Sequence, residues 1–540
     1  MIWSSAAECL NRGKLRAAEE AHKKGRRMSE TKKRPVQKNA PERKNGPVKQ
    51  TGPVKKDGFR KEFRKDFRKD APPRRNGPGP RRDAAPAPKS KPEEPGMPAR
   101  RIALKVIRQV TEQGAYASLA LDKALEDCGL IAADRRLASR LAYDTLDHMI
   151  WLDYVLAQVM AREDTDIKLR NILRLGACQI MLEDRIPDSA ATDTSVRLCV
   201  EAGMEGLKGV CNGILRNLIR KKDELVFPDP ALEPDRAEAI RYSMPEWLWK
   251  KLKDAYGAET AAGIVTHRES AECWTVRPNL TKVTDAEFEK ILEKKVWEKE
   301  KADVPHAWKV RGAMNIGKDA DFLNGSFSIM TPGSMMACLA MDVKRGKQIL
   351  DCCAAPGGKT CYLAEIMAGT GRVQAWDIHE HRTALIEAQA KRLGLENVRP
   401  MVRDAAKRRE DLAGTMDGVL LDAPCSGTGM IAEKPDIKLR ITEDSLQEMK
   451  EIQRRLLDTV CEYVKPGGTF VYSTCSVLPE ENEEQAEAFL QRHPEFEACS
   501  LPETIPSTYR EHQKTGLQLL PSQDGVEGFY LCRMKRKYTD

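Results

Sequence analysis

The chain has 540 residues, of which 32% are charged, and its formal net charge is +9 at pH 7. No apolar run approaches the roughly 18 to 20 residues that a membrane-spanning helix needs, so we expect a soluble protein without a membrane partner. The 15 cysteines form no Cys-x-x-Cys pair and no secretory signal pattern is present, which predicts reduced thiols, a cytoplasmic location and no metal site.

Residues 1–97 form a basic, proline-containing segment. Lysine and arginine outnumber the acidic residues there more than twofold, whereas the rest of the chain is slightly acidic. With few branched aliphatic residues, the segment cannot bury enough surface to offset its ordering entropy, and we predict that it is disordered. Phe-Arg-Lys-acid tetrads at 59–70 favour a polyanion-binding arm, and a solubilising tail is an equal alternative. Met28 would serve equally well as a start, which leaves the native origin of residues 1–27 open.

Residues 98–225 show helical periodicity. Apolar residues recur one turn apart, as at Ile102, Val106 and Val110, and no strand alternation interrupts them. We predict a compact all-helical domain of six or seven helices. Its last predicted helix carries basic positions that could meet RNA phosphates or simply face solvent: Arg216, Arg220, Lys221 and Lys222.

Residues 226–335 begin as a proline-rich linker and then mix helix and strand signals. An aromatic-rich helix opens near Trp247, a β-leaning run covers 274–279, and a helical stretch follows from Asp285 to Leu292. This alternation predicts a small α+β module packed against a catalytic domain at 336–540.

The stretch 351–360, Asp-Cys-Cys-Ala-Ala-Pro-Gly-Gly-Lys-Thr, is the first feature that indicates chemistry. The apolar run 348–350 before it predicts a buried strand, and the pattern after it predicts a helix. A strand, glycine turn and helix in this order bind adenosine-containing ligands in open α/β sheets. A phosphate-binding loop would need glycine at Cys353, and the spacing of a dinucleotide fingerprint is absent.

Acidic residues stand at the ends of the following predicted strands. Asp377 follows the run 373–376, and Asp404 and Asp422 follow two further apolar runs. Together with Asp351, four acids at one sheet edge suit a ligand with a ribose and a cationic sulfur, which favours S-adenosylmethionine. The plainer alternative is that the glycines form an ordinary turn and the acids cap loops.

Two cysteines follow predicted strands in loops of similar composition. Cys425 lies in Asp-Ala-Pro-Cys-Ser-Gly after Val419–Leu421, and Cys475 lies in Ser-Thr-Cys-Ser after Thr469–Tyr472. A lone cysteine in such a place is more often a small buried hydrophobe. If their strands neighbour the one ending at Asp351, both thiols face the cofactor crevice, and two such thiols favour chemistry.

A methyl transfer needs a thiol when the acceptor is a weakly nucleophilic ring carbon. Carbon 5 of a pyrimidine becomes nucleophilic once a thiolate adds to carbon 6, which is covalent catalysis. An unperturbed thiol is largely protonated at neutral pH, so a positive field must assist it. A second cysteine would then assist release of the product.

These motifs resemble those of the RNA 5-methylcytosine methyltransferases of the NOL1/NOP2/Sun family. The resemblance rests on 353–360, 422–427 and 474–476, and Glu527–Tyr530 looks like the family's last strand. It implies that Cys475 is the nucleophile, that Cys425 assists product release and that Asp422 also polarises the cytosine. It further implies cofactor contacts from Cys353, Ala354, Ala355, Pro356, Gly357, Gly358, Lys359, Asp377, Asp404 and Asp422.

The helical domain resembles the NusB-type RNA-binding fold. The matching segments are 103–106, 134–146 and 210–216. A NusB-like domain before these methyltransferase motifs narrows the resemblance to the RsmB (Sun/Fmu) branch of the family. That branch implies a small-subunit ribosomal RNA substrate. Two features depart from the pattern: Met330–Ser334 stands where the family usually has a Gln-Asp pair, and the basic arm is extra.

We therefore predict a multidomain protein: an α/β Rossmann-like methyltransferase domain preceded by a small α+β module and an all-α NusB-like domain. The predicted activity is S-adenosylmethionine-dependent methylation of cytosine carbon 5 in structured RNA, most specifically 16S ribosomal RNA, by a monomer. The alternatives are the same reaction on transfer RNA, a non-catalytic ribosome-assembly factor, and a small-molecule methyltransferase. The target base would have to leave its stack, which single-stranded RNA permits at low cost.

Overall fold

The computed structural model describes residues 95–126, 128–162, 164–268, 273–313 and 316–538. Nearly all of the basic arm, and with it the prediction of disorder, lies outside these ranges. Within them, no helix combines the length and apolar character that crossing a bilayer would require.

The first described domain is a bundle of α-helices, as predicted. Asp166 caps one helix by accepting a hydrogen bond from the Lys168 amide, and Gly114, with a φ of 66°, ends the first. Aliphatic residues one turn apart on each helix meet in one buried cluster. The helices are α1 (Met97–Gln113), α2 (Ala117–Leu125), α3 (Ala132–Asp147), α4 (Met149–Ala157), α5 (Ile167–Leu182), α6 (Asp188–Glu201) and α7 (Lys208–Lys221).

Three helices then connect the bundle to the rest of the chain: α8 (Pro234–Arg241), α9 (Glu246–Tyr256) and α10 (Ala258–Thr266). Their apolar faces, including Trp249 and Ile264, share one buried cluster with Ile431, Val477 and Leu478 from the far end of the chain. The helices therefore pack directly on the catalytic domain.

The small module has a four-stranded antiparallel sheet in the order β2-β3-β1-β4. Its main helix begins with a capping box between Thr284 and Glu287. The elements are β1 (Cys273–Pro278), α11 (Asp285–Glu293), β2 (Glu298–Lys301), β3 (Trp308–Arg311), α12 (Ala320–Leu323) and β4 (Phe327–Ile329). Arg277 of β1 forms a buried bidentate ion pair with Glu365, at 2.7 and 3.1 Å, which fixes the module to the catalytic domain.

The catalytic domain is a doubly wound α/β sheet in the order β10-β12-β9-β8-β5-β6-β7, with β11 paired to β12. Strands β7, β6, β5, β8 and β9 are parallel, and β12 is antiparallel to β9. The strands are β5 (Gln348–Asp351), β6 (Arg372–Asp377), β7 (Val398–Val402), β8 (Met416–Asp422), β9 (Val464–Thr474), β10 (Phe496–Ala498), β11 (Leu517–Leu519) and β12 (Phe529–Arg536).

Helices cover both faces of this sheet. They are α13 (Pro332–Ala340), α14 (Gly358–Ile366), α15 (Glu380–Leu393), α16 (Asp436–Arg440), α17 (Glu443–Val460), α18 (Glu483–Arg492), α19 (Ser507–Arg510) and α20 (Pro521–Asp524). Because side chains alternate along a strand, Ile349 and Leu350 enter two different buried clusters, one on each face. The predicted fold class is confirmed, and the carboxyl ends of five parallel strands share one edge.

Helix α16 joins the catalytic domain to the helical bundle. The Lys438 ammonium donates to the Asp147 carboxylate at 2.9 Å, and both side chains are buried. Arg440 lies 4.0 Å from the centre of the Tyr116 ring, and Leu439 packs against the core of the bundle. The segment that follows Cys425 in the chain is thus held by the N-terminal domain.

Candidate active site

The glycine loop leaves β5 and turns into α14. Gly357 has a φ of 105°, and a Cβ there would lie 3.0 Å from the Ile386 backbone, so both conformation and space favour glycine. The Ala354 amide donates to the Trp376 carbonyl at 2.8 Å, which ties the loop to β6. Pro356 is exposed at the tip of the loop and Gly358 begins the helix. The loop backbone therefore approaches the sheet edge closely.

Asp351 is buried where β5 ends. One carboxyl oxygen accepts from the Thr360 hydroxyl at 2.6 Å, and the other has no hydrogen-bond partner among the described residues. Burial raises the pKa of this carboxyl to about 7, against an ordinary value near 3.8. An unpartnered buried polar oxygen at this position fits a site that a polar ligand completes.

The other predicted acids line the same edge. Asp377 accepts from the His379 amide at 3.0 Å, and Asp404 accepts from the Ala406 amide at 3.0 Å, so each is oriented by the turn that follows it. Ile378, the residue after Asp377, is 56% exposed. Carboxylates suited to ribose hydroxyls, next to an exposed apolar side chain suited to an adenine ring, fit an adenosyl ligand.

The two predicted cysteines meet in space. Parallel pairing sets Asp422 of β8 opposite Ser473 of β9, which brings the loops after both strands to one level. The Sγ atoms of Cys425 and Cys475 are 3.4 Å apart, and both side chains are half-buried. The two thiols are therefore within hydrogen-bonding distance.

The environment of the pair favours a thiolate on Cys475. The hydrogen bond with Cys425 lowers the pKa of the Cys475 thiol; the Lys434 and Lys359 ammonium groups act in the same direction, while burial and the Asp422 carboxylate oppose them. The pKa of Cys425 lies well above its ordinary value because of the same hydrogen bond and because of burial. Of the two thiols, Cys475 is therefore the one that loses its proton more readily.

Lys359 links the glycine loop to the thiols. Its ammonium donates to the Asp422 carboxylate at 2.7 Å, lies 5.4 Å from the centre of the Phe529 ring, and has a pKa raised mainly by Asp422, against the effect of burial. The second carboxylate oxygen of Asp422 accepts from the Ser473 hydroxyl at 2.8 Å. Asp422 is therefore bonded both to Lys359 of the predicted cofactor loop and to β9, the strand that leads to Cys475.

The stretch Met330–Ser334 leads into the first turn of α13, and Glu527 caps that helix. The Glu527 carboxylate accepts from the Gly333 and Ser334 amides at 2.9 and 3.4 Å.

The basic positions predicted at the end of α7 are all exposed, and Lys222 lies 3.5 Å from Asp188.

Sequence reasoning assigned no role to Glu481. This side chain is fully buried and bonds to Ser426 and Ser476, each of which directly follows one of the two cysteines. The signal that could have identified it is an acid six residues after Cys475, in the Pro-Glu-Glu-Asn turn at 479–482.

Comparison with known proteins identifies a family for each of two regions of the chain. A family model described as 16S rRNA methyltransferase RsmB/F matches residues 338–535, and a NusB family model matches residues 97–220. The probable ribosomal RNA small subunit methyltransferase B of Bacillus subtilis (strain 168) is 35% identical over 442 residues, which cover 81% of this chain and 98% of that protein.

Two further proteins extend the comparison. The ribosomal RNA small subunit methyltransferase B of Escherichia coli O7:K1 (strain IAI39 / ExPEC) is 31% identical over 443 residues, covering 81% of this chain and 98% of that protein. The crystal structure of PH0851 superposes with a TM-score of 0.69 at 26% identity, covering 83% of this chain and 100% of that chain.

The sheet order, the glycine loop and the row of acids define an S-adenosylmethionine-dependent methyltransferase. The extent of the match is nearly the full length of the curated relatives. The chain belongs to the ribosomal RNA small subunit methyltransferase B family, and its N-terminal bundle is a NusB-like domain. The family resemblance, the fold class and the cofactor predicted from the sequence are confirmed.

Proposed function

We propose that the protein methylates carbon 5 of a cytosine in 16S small-subunit ribosomal RNA through a covalent bond between Cys475 and carbon 6 of the base. The observation that carries this proposal is the 3.4 Å approach of the Cys475 and Cys425 sulfurs beside the Lys359–Asp422 pair. The names of the matched relatives support the choice of RNA, because they describe methyltransferases of the small ribosomal subunit.

The glycine loop from Cys353 to Lys359, with Asp377 and Asp404, would hold S-adenosylmethionine. When bound, this cofactor supplies an electrophilic methyl group on its sulfonium. The Lys359 ammonium near Cys475 keeps that sulfur nucleophilic, while burial of the pair limits hydration of the thiolate.

The Cys475 thiolate adds to carbon 6 of the flipped base, and the electron pair of the ring double bond moves to carbon 5. Asp422, held by Lys359 and Ser473, accepts a hydrogen bond from the exocyclic amino group and orients the ring. Carbon 5 would then take the methyl group as the bond from that methyl to the cofactor sulfur breaks. The carbon 5 proton leaves to a base, its electron pair restores the ring double bond, and the Cys475 thiolate departs from carbon 6. The Cys425 thiol, whose sulfur lies 3.4 Å from that of Cys475, donates a hydrogen bond to the thiolate and stabilises it as it leaves.

The test compares two cysteine variants with RNA and cofactor. Cys425→Ala should accumulate a protein–RNA adduct that survives a denaturing gel, because the thiolate forms but leaves slowly. Cys475→Ala should give neither adduct nor methylated RNA. Cys499→Ala, which removes a cysteine outside the site, is the matched control and should behave like the unmodified protein.

An adduct with Cys475→Ala would reverse the two roles, and methylation by that variant would disprove the covalent mechanism. The substrate is tested by offering 16S ribosomal RNA and transfer RNA transcripts and mapping 5-methylcytosine by mass spectrometry. Methylation of transfer RNA alone would replace the proposed substrate, and absence of methylation on every RNA would favour an assembly factor.

A further inference from the structure

The Glu481 carboxylate is buried without a cationic partner. Its side chain is fully enclosed, and no lysine or arginine among the described residues forms an ion pair with it. Four donors surround it instead: the Ser426 amide at 2.8 Å, the Gln453 amide group at 3.0 Å, and the hydroxyls of Ser426 and Ser476, the latter at 2.5 Å. A buried charge is costly unless such hydrogen bonds satisfy it, so this arrangement calls for a function.

The donors come from the two cysteine loops. Ser426 follows Cys425 and Ser476 follows Cys475, so one carboxylate binds the residue next to each sulfur. The third contributor, Gln453 of α17, also donates to the Pro424 carbonyl at 2.9 Å. The carboxylate therefore bonds to both the loop after β8 and the loop after β9, in addition to direct bonds between the loops such as that from the Gly429 amide to the Cys475 carbonyl at 3.0 Å.

The backbone of Glu481 is itself anchored. The Tyr472 hydroxyl of β9 donates to the Glu481 carbonyl at 2.5 Å. Asn482, the next residue, accepts from the Thr474 hydroxyl at 2.5 Å and donates to the Ser476 carbonyl at 2.9 Å. Both anchors lie on the strand or loop that carries Cys475, so the position of Glu481 is fixed relative to that sulfur. Its bond to Ser426 connects it to the loop of Cys425 as well.

We propose that Glu481 is a positioning residue that sets the spacing of the two catalytic sulfurs and assigns the nucleophilic role to Cys475. The proposal rests on the function proposed above for the two cysteines. The Glu481 carboxylate bonds to Ser426, Gln453 and Ser476, and it acts on the sulfurs through the two serines.

The charge of Glu481 supports the assignment of the nucleophilic role to Cys475. The negative charge of Glu481 contributes to the raised pKa of Cys425, although the Cys475 hydrogen bond and burial contribute more. The other charged groups that act on the pair are Lys359, Lys434 and Asp422, and both cations favour the thiolate on Cys475. A neutral side chain at 481 would therefore reduce the difference between the two sulfurs.

The experiment measures both cysteines in the full-length protein without RNA. Iodoacetamide alkylation at each cysteine is followed by peptide mass spectrometry across pH, and kcat and KM are measured with RNA. Glu481→Gln should lower the ratio of Cys475 to Cys425 alkylation severalfold, and should lower kcat about tenfold or more with a smaller change in KM. Glu481→Asp, which keeps the charge, should restore part of the ratio.

Glu480→Gln is the matched control, because Glu480 pairs with Lys251 at 2.6 Å and should leave the alkylation ratio and kcat unchanged. Ser426→Ala, which removes one donor and keeps the charge, covers the case in which Glu481→Gln does not fold; it should also lower kcat and change the alkylation ratio. An unchanged ratio and kcat in either folded variant would overturn the positioning role. Methylation by Cys475→Ala would overturn the proposed function instead, so the two failures are distinguishable.

Discussion

The Lys359 ammonium donates to the Asp422 carboxylate across 2.7 Å, so the helix that follows the glycine loop is bonded to the strand that leads to Cys425. Charge on Lys359 therefore acts on both halves of the site. Removing it should affect the thiols as well as the cofactor loop.

Lys359→Met should lower kcat about 10- to 100-fold, the range expected when one charge-assisted hydrogen bond is lost in a buried site. Loss of a cation near Cys475 raises the pKa of that thiol, so its alkylation should require higher pH than in the unmodified protein. Lys359→Arg keeps the charge and should show a smaller shift. An identical alkylation profile in Lys359→Met would show that this ammonium does not act on Cys475.

Asp351 should make the protein less stable as pH rises. Its pKa in the folded protein is about 7, above the ordinary 3.8, so between these values the folded state binds more protons than the unfolded state. This contribution is fully present below about pH 4 and is lost as pH rises through 7, at no more than about 1.4 kcal/mol per pH unit. Urea unfolding of the cofactor-free protein from pH 5 to 8 measures it.

Asp351→Asn should flatten that dependence, because the amide does not titrate. Asp303→Asn, at an exposed position, serves as the control and should retain the slope of the unmodified protein. A slope that is unchanged in Asp351→Asn would assign the pH dependence to other groups.

The ion pair between the two domains should contribute strongly to stability. Asp147→Ala leaves Lys438 buried without its partner, which typically costs about 3–5 kcal/mol. Thermal and urea unfolding give the loss in free energy of unfolding. Glu205→Gln breaks an exposed pair with Lys208 and should cost less than about 1 kcal/mol. Equal losses in the free energy of unfolding of the two variants would show that the buried pair contributes no more than the exposed one.

Gly429 should not tolerate a side chain. A Cβ there would lie 2.0 Å from the Gly528 carbonyl oxygen and 2.8 Å from the Cys475 carbonyl oxygen. Gly429→Ala should therefore destabilise the protein by about 1–3 kcal/mol and displace the Cys475 loop, with loss of methylation. Gly213→Ala, inside α7 with nothing within 4 Å, should instead stabilise by about 0.5–1 kcal/mol. Full methylation by Gly429→Ala would rule out the close approach.

The basic arm gives a prediction for RNA binding. If it contacts phosphates, deleting residues 1–94 should weaken RNA affinity and flatten the slope of log affinity against log salt concentration. Filter binding at several salt concentrations measures both quantities. An unchanged slope would leave the arm as a solubilising tail.

Sequence patterns predicted the elements of the site but not their contacts. Short apolar runs that end in Asp351, Asp377 and Asp422 identified the strands, because buried parallel strands are continuously apolar. The approach of Cys425 to Cys475 depends on the pairing of β8 with β9, which the local sequence does not specify.

Long-range polar contacts were equally hidden. The Lys438–Asp147 pair joins residues 291 positions apart, and each residue alone resembles an ordinary surface charge. Glu481 stands in an acidic stretch typical of a solvated turn, and only the fold shows that this carboxylate is enclosed. Such residues become recognisable once tertiary structure supplies their donors.

The packing of α8–α10 limits where the protein can be divided. The Tyr256 hydroxyl donates to the Val477 carbonyl at 2.6 Å, and Val477 and Leu478 are fully buried in the cluster shared with those helices. A fragment starting at residue 338, where the methyltransferase family model begins, would expose this apolar surface directly behind Cys475. Such a fragment would tend to aggregate and would lack the support of its nucleophile loop, so a usable catalytic fragment has to begin before Pro234.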